Sequence, residues 1–108
     1  MSAPGEHPRR GEIWRYKPVI TREGRSDLRL IVSADAVNAG PMVTVYAVDL
    51  ATDAPADLLT VPVSPVLGQA VTTTLGGVLR RRLTEHVDTA SPAVMEQIDV
   101  ALRALLEL

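Results

Sequence analysis

The sequence predicts a small, mostly β fold closed by one C-terminal helix, either a strongly curved barrel or a two-sheet sandwich. Three observations carry that expectation. Short runs of β-branched and apolar residues recur between turns that contain Gly and Pro. Helical periodicity is sustained only in the last segment. A length of 108 residues gives room for one modest core and no second domain.

Met1 to Pro8, with two prolines, a glycine and no periodicity, reads as a flexible leader, and residues 9–108 as the single domain. Glu12-Ile13-Trp14-Arg15-Tyr16 alternates as a short strand does, with Ile13 on one face and Trp14 and Tyr16 on the other, and Pro18 closes it. Val19 to Ser26 holds a β-branched run and then a glycine turn, which suits a long hairpin loop. Leu28 to Ser33 is a second strand. Val43 to Val48 is a third, and its near-continuous apolar character implies burial on both faces. Asn38-Ala39-Gly40-Pro41 is the turn between them. Asp49 to Asp57 reads as a connection to a fourth strand, Leu58 to Val61, stopped by Pro62 and Pro65.

Ala70 to Leu75 is a fifth strand, broken by Gly76-Gly77. Leu79, Leu83 and Val87 then follow at a spacing of four around three arginines, which fits a short amphipathic turn or a strand end. In the final segment Ser91 can cap and Pro92 suits the first helical position. Val94, Met95, Ile98, Ala101, Leu102, Leu105 and Leu106 recur at helical spacing, so this helix lays an apolar stripe over one side of the sheet.

Hydrophobic residues make up 46% of the chain and charged residues 22%, the balance of a globular protein. No apolar run approaches the roughly 20 residues of a membrane span and the start lacks an apolar signal region, so a soluble, cytoplasmic protein is expected. The absence of cysteine excludes a disulfide framework, a thiolate metal site and a cysteine nucleophile. No nucleotide fingerprint, phosphate loop or paired-histidine spacing is present, and no cofactor is expected.

A net charge of -2 argues against nucleic-acid binding by bulk positive charge. Distribution says more. Of 11 basic residues, most lie between Arg9 and Arg29 and three more form Arg80-Arg81-Arg82, with none from Leu30 to Leu79. Brought together by the fold, these two islands would make a local groove for a polyanion; apart, they would be solvated faces.

Neither histidine has a metal-site partner, and no serine has a readable triad. His86 could serve as a general acid or base, or be an ordinary exposed histidine. What remains is arginine, carboxylate and hydroxyl. RNA cleavage needs an activated 2′-hydroxyl and a stabilised phosphate, and arginine supplies planar, permanently charged donors for the second task. Arg22, Arg25 and Arg29 suit it, with Asp49 or Thr52 near the end of the third strand. The alternative is an ordinary surface network of these arginines with Glu23 and Asp27.

Arg10-Gly11-Glu12-Ile13-Trp14 and Leu30-Ile31-Val32-Ser33-Ala34-Asp35-Ala36-Val37-Asn38 resemble the Arg-Gly-Asp-Ile/Val-aromatic start and the Leu-Val-Val-Ser-Asn-Asp-x-x-Asn stretch of MazF/PemK toxins. Leu83-Thr84-Glu85-His86-Val87 and the segment from Ala93 to Leu108 are similar to that family's closing Leu-Thr-x-x-Val/Ile and its methionine-bearing, leucine-rich helix. The resemblance covers both ends and leaves about Thr52 to Leu75 unassigned. It implies an SH3-like barrel, a homodimer and a toxin that cuts single-stranded RNA at short sequences without metal. The cognate antitoxin would be a partly disordered peptide that folds along the toxin.

Under that resemblance Arg25 is expected to stabilise the phosphate and Thr52 or Asp49 to assist proton transfer, while Arg22, Arg29, Arg80, Arg81 and Arg82 grip the RNA backbone. Two positions depart from the family pattern. The place of its catalytic arginine falls on Asp27, followed by Leu28 in place of proline, and that of its catalytic threonine falls on Asp49. A non-catalytic binding protein of the same fold therefore stands as the alternative, whether an inactive toxin, a regulator or a CcdB-type gyrase-directed poison. The last of these lacks support at the Glu107-Leu108 terminus, where such poisons carry an aromatic residue.

Overall fold

A computed structural model describes residues 7–18, 26–54 and 57–108. Six strands form one antiparallel sheet: β1 (Glu12–Tyr16), β2 (Leu28–Ile31), β3 (Thr44–Ala51), β4 (Thr60–Ser64), β5 (Gly68–Leu79) and β6 (Leu83–Thr89). Their order across the sheet is β4-β5-β3-β2-β1-β6. The first and last strands thus lie side by side, with β4 and β6 at the two edges. The sheet is open, so the expected barrel does not close. Helix α1 (Asp35–Asn38) follows β2, a 3-10 turn (Arg80–Arg82) links β5 to β6, and helix α2 (Pro92–Leu106) ends the chain.

Alternation along the strands divides the molecule into two apolar clusters. Ile13, Leu30, Val48, Leu50, Val61 and Ala70 face α2 and pack on its Met95, Ile98 and Ala101. Trp14, Ile31, Val45, Ala47 and Val78 form a second cluster, joined by Tyr16 and Leu83. Ile13 and Trp14 part to opposite faces as their alternation predicts, and β3 is buried on both. Ser91 caps α2 by accepting the Val94 amide at 3.2 Å, and Glu107 ends it in the left-handed conformation.

The Arg10-Gly11-Glu12 opening is scaffold. Arg10 pairs with Asp99 of α2 and donates from Nε to the Val32 carbonyl at 3.1 Å, tying helix to sheet. Gly11 takes a φ of 92°, open to glycine at little cost, and there its amide reaches the Ile31 carbonyl while its carbonyl accepts from Ala90. Glu12 accepts from the Arg9 amide and the Trp14 indole.

Four expectations are corrected. β3 runs on through Asp49 to Ala51, because these residues pair with Val71 to Gln69 of β5. Pro62 lies within β4, which tolerates it as an edge strand. Gly76-Gly77 continues β5, since Gly77 lies opposite Tyr46 and gives room to the Tyr46 ring and the Thr44 methyl. The irregularity falls earlier, where Thr72 to Leu75 stand opposite Val48 as a bulge. Finally, Asn38 is the end of α1 and is fully buried, bonded to the Ser33 hydroxyl and carbonyl. The segment left open between turn and strand resolves as β6, paired with β1.

Candidate active site

The candidate site lies on the face opposite α2. Trp14, Arg29, Asp49, Val71 and Thr60 occupy one row of paired positions across β1, β2, β3, β5 and β4, so all point the same way. At its centre Arg29 and Asp49 form a buried ion pair, with Arg29 Nε 3.1 Å from Asp49 Oδ1. The two residues are only 3% and 7% exposed. Arg29 Nη1 also donates to the Ser26 and Leu28 carbonyls at 2.6 and 3.0 Å, and its guanidinium carbon lies 4.9 Å from the Tyr16 ring centre. This multiple anchoring offsets the cost of taking both charges out of water.

The bulge in β5 brings a hydroxyl to the same place. Thr74 Oγ1 accepts the Asp49 amide at 2.7 Å and donates to the Val71 carbonyl at 2.6 Å, fixing the backbone beneath the carboxylate. Sequence reasoning singled out neither Thr74 nor the role of Tyr16; the Thr72-Thr73-Thr74 run was the available signal.

Arg22 and Arg25 lie outside the described residues. They fall between Pro18 and Ser26, which follow β1 and precede β2, and the Ser26 carbonyl holds Arg29. The second basic island meets the residue after β1: Lys17 donates its amide to the Arg82 carbonyl at 2.9 Å and Arg82 Nη1 donates to the Lys17 carbonyl at 3.2 Å. Arg80 turns elsewhere, bonding the Asn38, Gly40 and Met42 carbonyls, and Arg81 is exposed. Arg29 and Arg80, read as backbone grips, are thus engaged within the protein in this conformation.

Asp27 is bonded by Arg15, whose Nη1 lies 2.9 Å from Asp27 Oδ2 while its Nε lies 3.2 Å from Glu85 Oε1. The hydrogen bond to Asp27, then that to Glu85, raises the Arg15 pKa above its ordinary value. Arg15 of β1 is thus a partner of Asp27, one of the two acids of the surface network expected around Arg22, Arg25 and Arg29, whose other acid, Glu23, lies outside the described residues. His86 stacks on Trp14 at 5.6 Å and its Nε2 lies 2.9 Å from the Asp88 carbonyl and 3.0 Å from the Thr89 hydroxyl.

Thr52 is exposed just past β3 and lines a groove of about 430 Å³ with Pro62, Ser64, Gly68 and Gln69. A second hollow, of about 410 Å³, lies between Met42-Val43 and Leu79-Arg81. Met42 and Val43 are well exposed there, at 60% and 70%, and Tyr46 of β3 is 46% exposed. Among the described residues no group of acidic or histidine side chains is arranged to hold a metal ion, and no helix is long and apolar enough to cross a membrane.

No protein-family model matches the chain, and no curated protein matches it. Solved structures do. An endoribonuclease in complex with its cognate antitoxin, from a mycobacterial species, is 27% identical over 94% of this chain and 96% of its own, with a TM-score of 0.81. An endoribonuclease from a mycobacterial species is 26% identical over 94% of this chain and 92% of its own, with a TM-score of 0.78. A MazE-MazF structure from Deinococcus radiodurans matches in fold, at 20% identity over 95% and 99% of the two chains and a TM-score of 0.79. The open antiparallel sheet with its C-terminal helix on one face is thus the fold of the MazF structures, shared along nearly the whole length of this chain.

Proposed function

We propose that the chain is the toxin of a toxin–antitoxin pair, a cytoplasmic, metal-independent endoribonuclease that cuts single-stranded RNA. The observation that carries this reading is the Arg29–Asp49 pair under Tyr16, set at the root of the basic loop and beside Arg82 on a fold shared with endoribonucleases. In the reaction the RNA 2′-oxygen attacks the adjacent phosphorus and the 5′-oxygen leaves, giving a 2′,3′-cyclic phosphate. Asp49 takes the proton from the 2′-hydroxyl, the leaving 5′-oxygen takes one from water, and Arg29 orients the carboxylate. Arg25 and Arg22 bring the donors that stabilise the phosphate charge, while Arg81 and Arg82 hold the backbone. Thr52, the other group read as a proton carrier, sits in the neighbouring groove, so the geometry favours Asp49.

One observation favours a second reading, a binding protein without catalysis: Asp49 and Asp27 are both engaged by arginines of this chain. Incubation of purified protein with mixed RNA in excess chelator separates the two. Cuts that persist in chelator, end in cyclic phosphate and fall by about 10²-fold or more in Arg25→Ala and Asp49→Asn support the enzyme. Intact RNA, with tight binding of the antitoxin, supports the binding protein.

The antitoxin on this reading is an acidic segment that covers the Arg-bearing face. A second copy of the chain covers the exposed Met42 and Val43, apolar side chains that a monomer would leave in water.

A further inference from the structure

The groove beside the candidate active site has a feature that the cleavage chemistry does not use. Gln69 pairs with Ala51 on one side and Pro62 on the other, two residues along β5 from Val71, which itself pairs with Asp49. The Gln69 side chain therefore emerges on the face that carries Arg29 and Asp49, one row further along. Its Oε1 is shut off from water and accepts no hydrogen bond; among the described residues the other buried side-chain atoms without a partner are guanidinium nitrogens, which can only donate. A shielded acceptor left unpaired is costly and rare in folded proteins. Gln69 lines a groove of about 430 Å³ together with Thr52, Pro62 and Ser64. Among the described residues no lysine, arginine, aspartate or glutamate lines it.

We infer that this groove is a base-reading subsite for a single-stranded RNA nucleotide next to the scissile phosphate, with Gln69 as its specificity-determining residue. The inference rests on the endoribonuclease reading above. A neutral, hydroxyl-lined hollow with one unmatched amide suits a base edge, which offers donor and acceptor side by side, and does not suit a phosphate, which needs cations. A glutamine amide pairs in bidentate fashion with adenine, accepting from its exocyclic amine while donating to a ring nitrogen. Pro62 supplies a flat apolar wall for the ring. Gly68 closes the groove floor, with φ 91° and no room for a side chain against the Ala51 backbone, so the Gln69 backbone is firmly held.

Two measurements on wild type and Gln69→Leu test this, with circular dichroism establishing that both are folded. The first is anisotropy with labelled 2′-O-methyl heptamers of A, C or U, which lack the attacking hydroxyl and so report binding alone. Wild type should favour the adenine heptamer over the uracil one by about five- to 150-fold, the discrimination of one bidentate amide–base pair, and the variant should lose that preference. The second maps cut ends in a randomised RNA pool; the variant should cut with the adenine preference next to the cleaved bond erased. Cleavage by both proteins with identical base preference overturns the subsite and leaves the enzyme intact. If neither protein cuts, the catalytic reading falls, and equal binding of all heptamers by wild type overturns the subsite independently of it.

Discussion

Arg29 and Asp49 are each nearly enclosed by protein, so each depends on the other for the charge it has lost contact with in water. Removing one partner strands the other, which in buried pairs costs about 3–5 kcal/mol, whereas exchanging both for apolar residues of similar size is close to neutral. Asp49→Ala should therefore destabilise the protein by about 3–5 kcal/mol in urea titrations, and Arg29→Met with Asp49→Leu should recover most of that loss while abolishing RNA cleavage. If the double variant is as unstable as the single one, the pair is not the source of the effect. Arg15 differs in kind. It lies at the surface, and its raised pKa keeps it cationic throughout the usable pH range. Its pairing with Asp27 and Glu85 would be weakened from its own side only in strong alkali, as pH rises through the folded-state pKa.

At the level of elements, β5 holds the two glycines that most constrain the sheet. A Cβ at Gly68 would stand 2.4 Å from the Ala51 carbonyl oxygen on a backbone already at φ 91°, so Gly68→Ala should cost about 2 kcal/mol or more. At Gly77 the obstacle is the Thr44 methyl at 2.8 Å, which is side chain rather than backbone. Gly77→Ala should cost about 1–3 kcal/mol, and Thr44→Ser, which deletes that methyl, should restore the loss in the double variant; thermal unfolding of the set of four checks it. Ser91→Ala should cost about 1 kcal/mol through α2 alone, visible as faster amide exchange in its first turn.

These elements also show what sequence can and cannot carry. The alternation of Ile13, Trp14 and Tyr16, and the spacing of Met95, Ile98 and Ala101, are local patterns, and both predicted their faces correctly. Pro62 and Gly76-Gly77 were read as breaks because their local preference is against strand; edge position and the Tyr46 ring, both tertiary facts, decide otherwise. The Arg29–Asp49 contact depends on register between β2 and β3, and Thr74 reaches Asp49 only through a bulge, so neither was legible from residue types. Gln69 carried no signal in the sequence, since one glutamine in a strand differs from another only in what fails to meet it.

Over the whole molecule the two faces of the sheet have separate duties. One side is consumed by α2, clipped in place by Arg10 and Asp99; the other keeps its arginines, carboxylates and groove for partners. Met42 and Val43 are exposed beside the hollow next to Leu79 to Arg81. On the proposed assembly, Val43→Asp should convert a dimer to a monomer in sedimentation equilibrium while leaving the unfolding temperature at low concentration nearly unchanged. A wild-type protein that sediments as a monomer at micromolar concentration would remove the second copy from that patch. The open sheet adds a last consequence. Among the described residues its two margins, β4 and β6, have no further strand beside them, and such edges are natural templates for stacking of one chain on the next. Pro62 in the middle of β4 and Glu85 and Asp88 along β6 spoil both templates. Pro62→Val, which removes that interruption, is the substitution expected to make the chain precipitate, as light scattering would show.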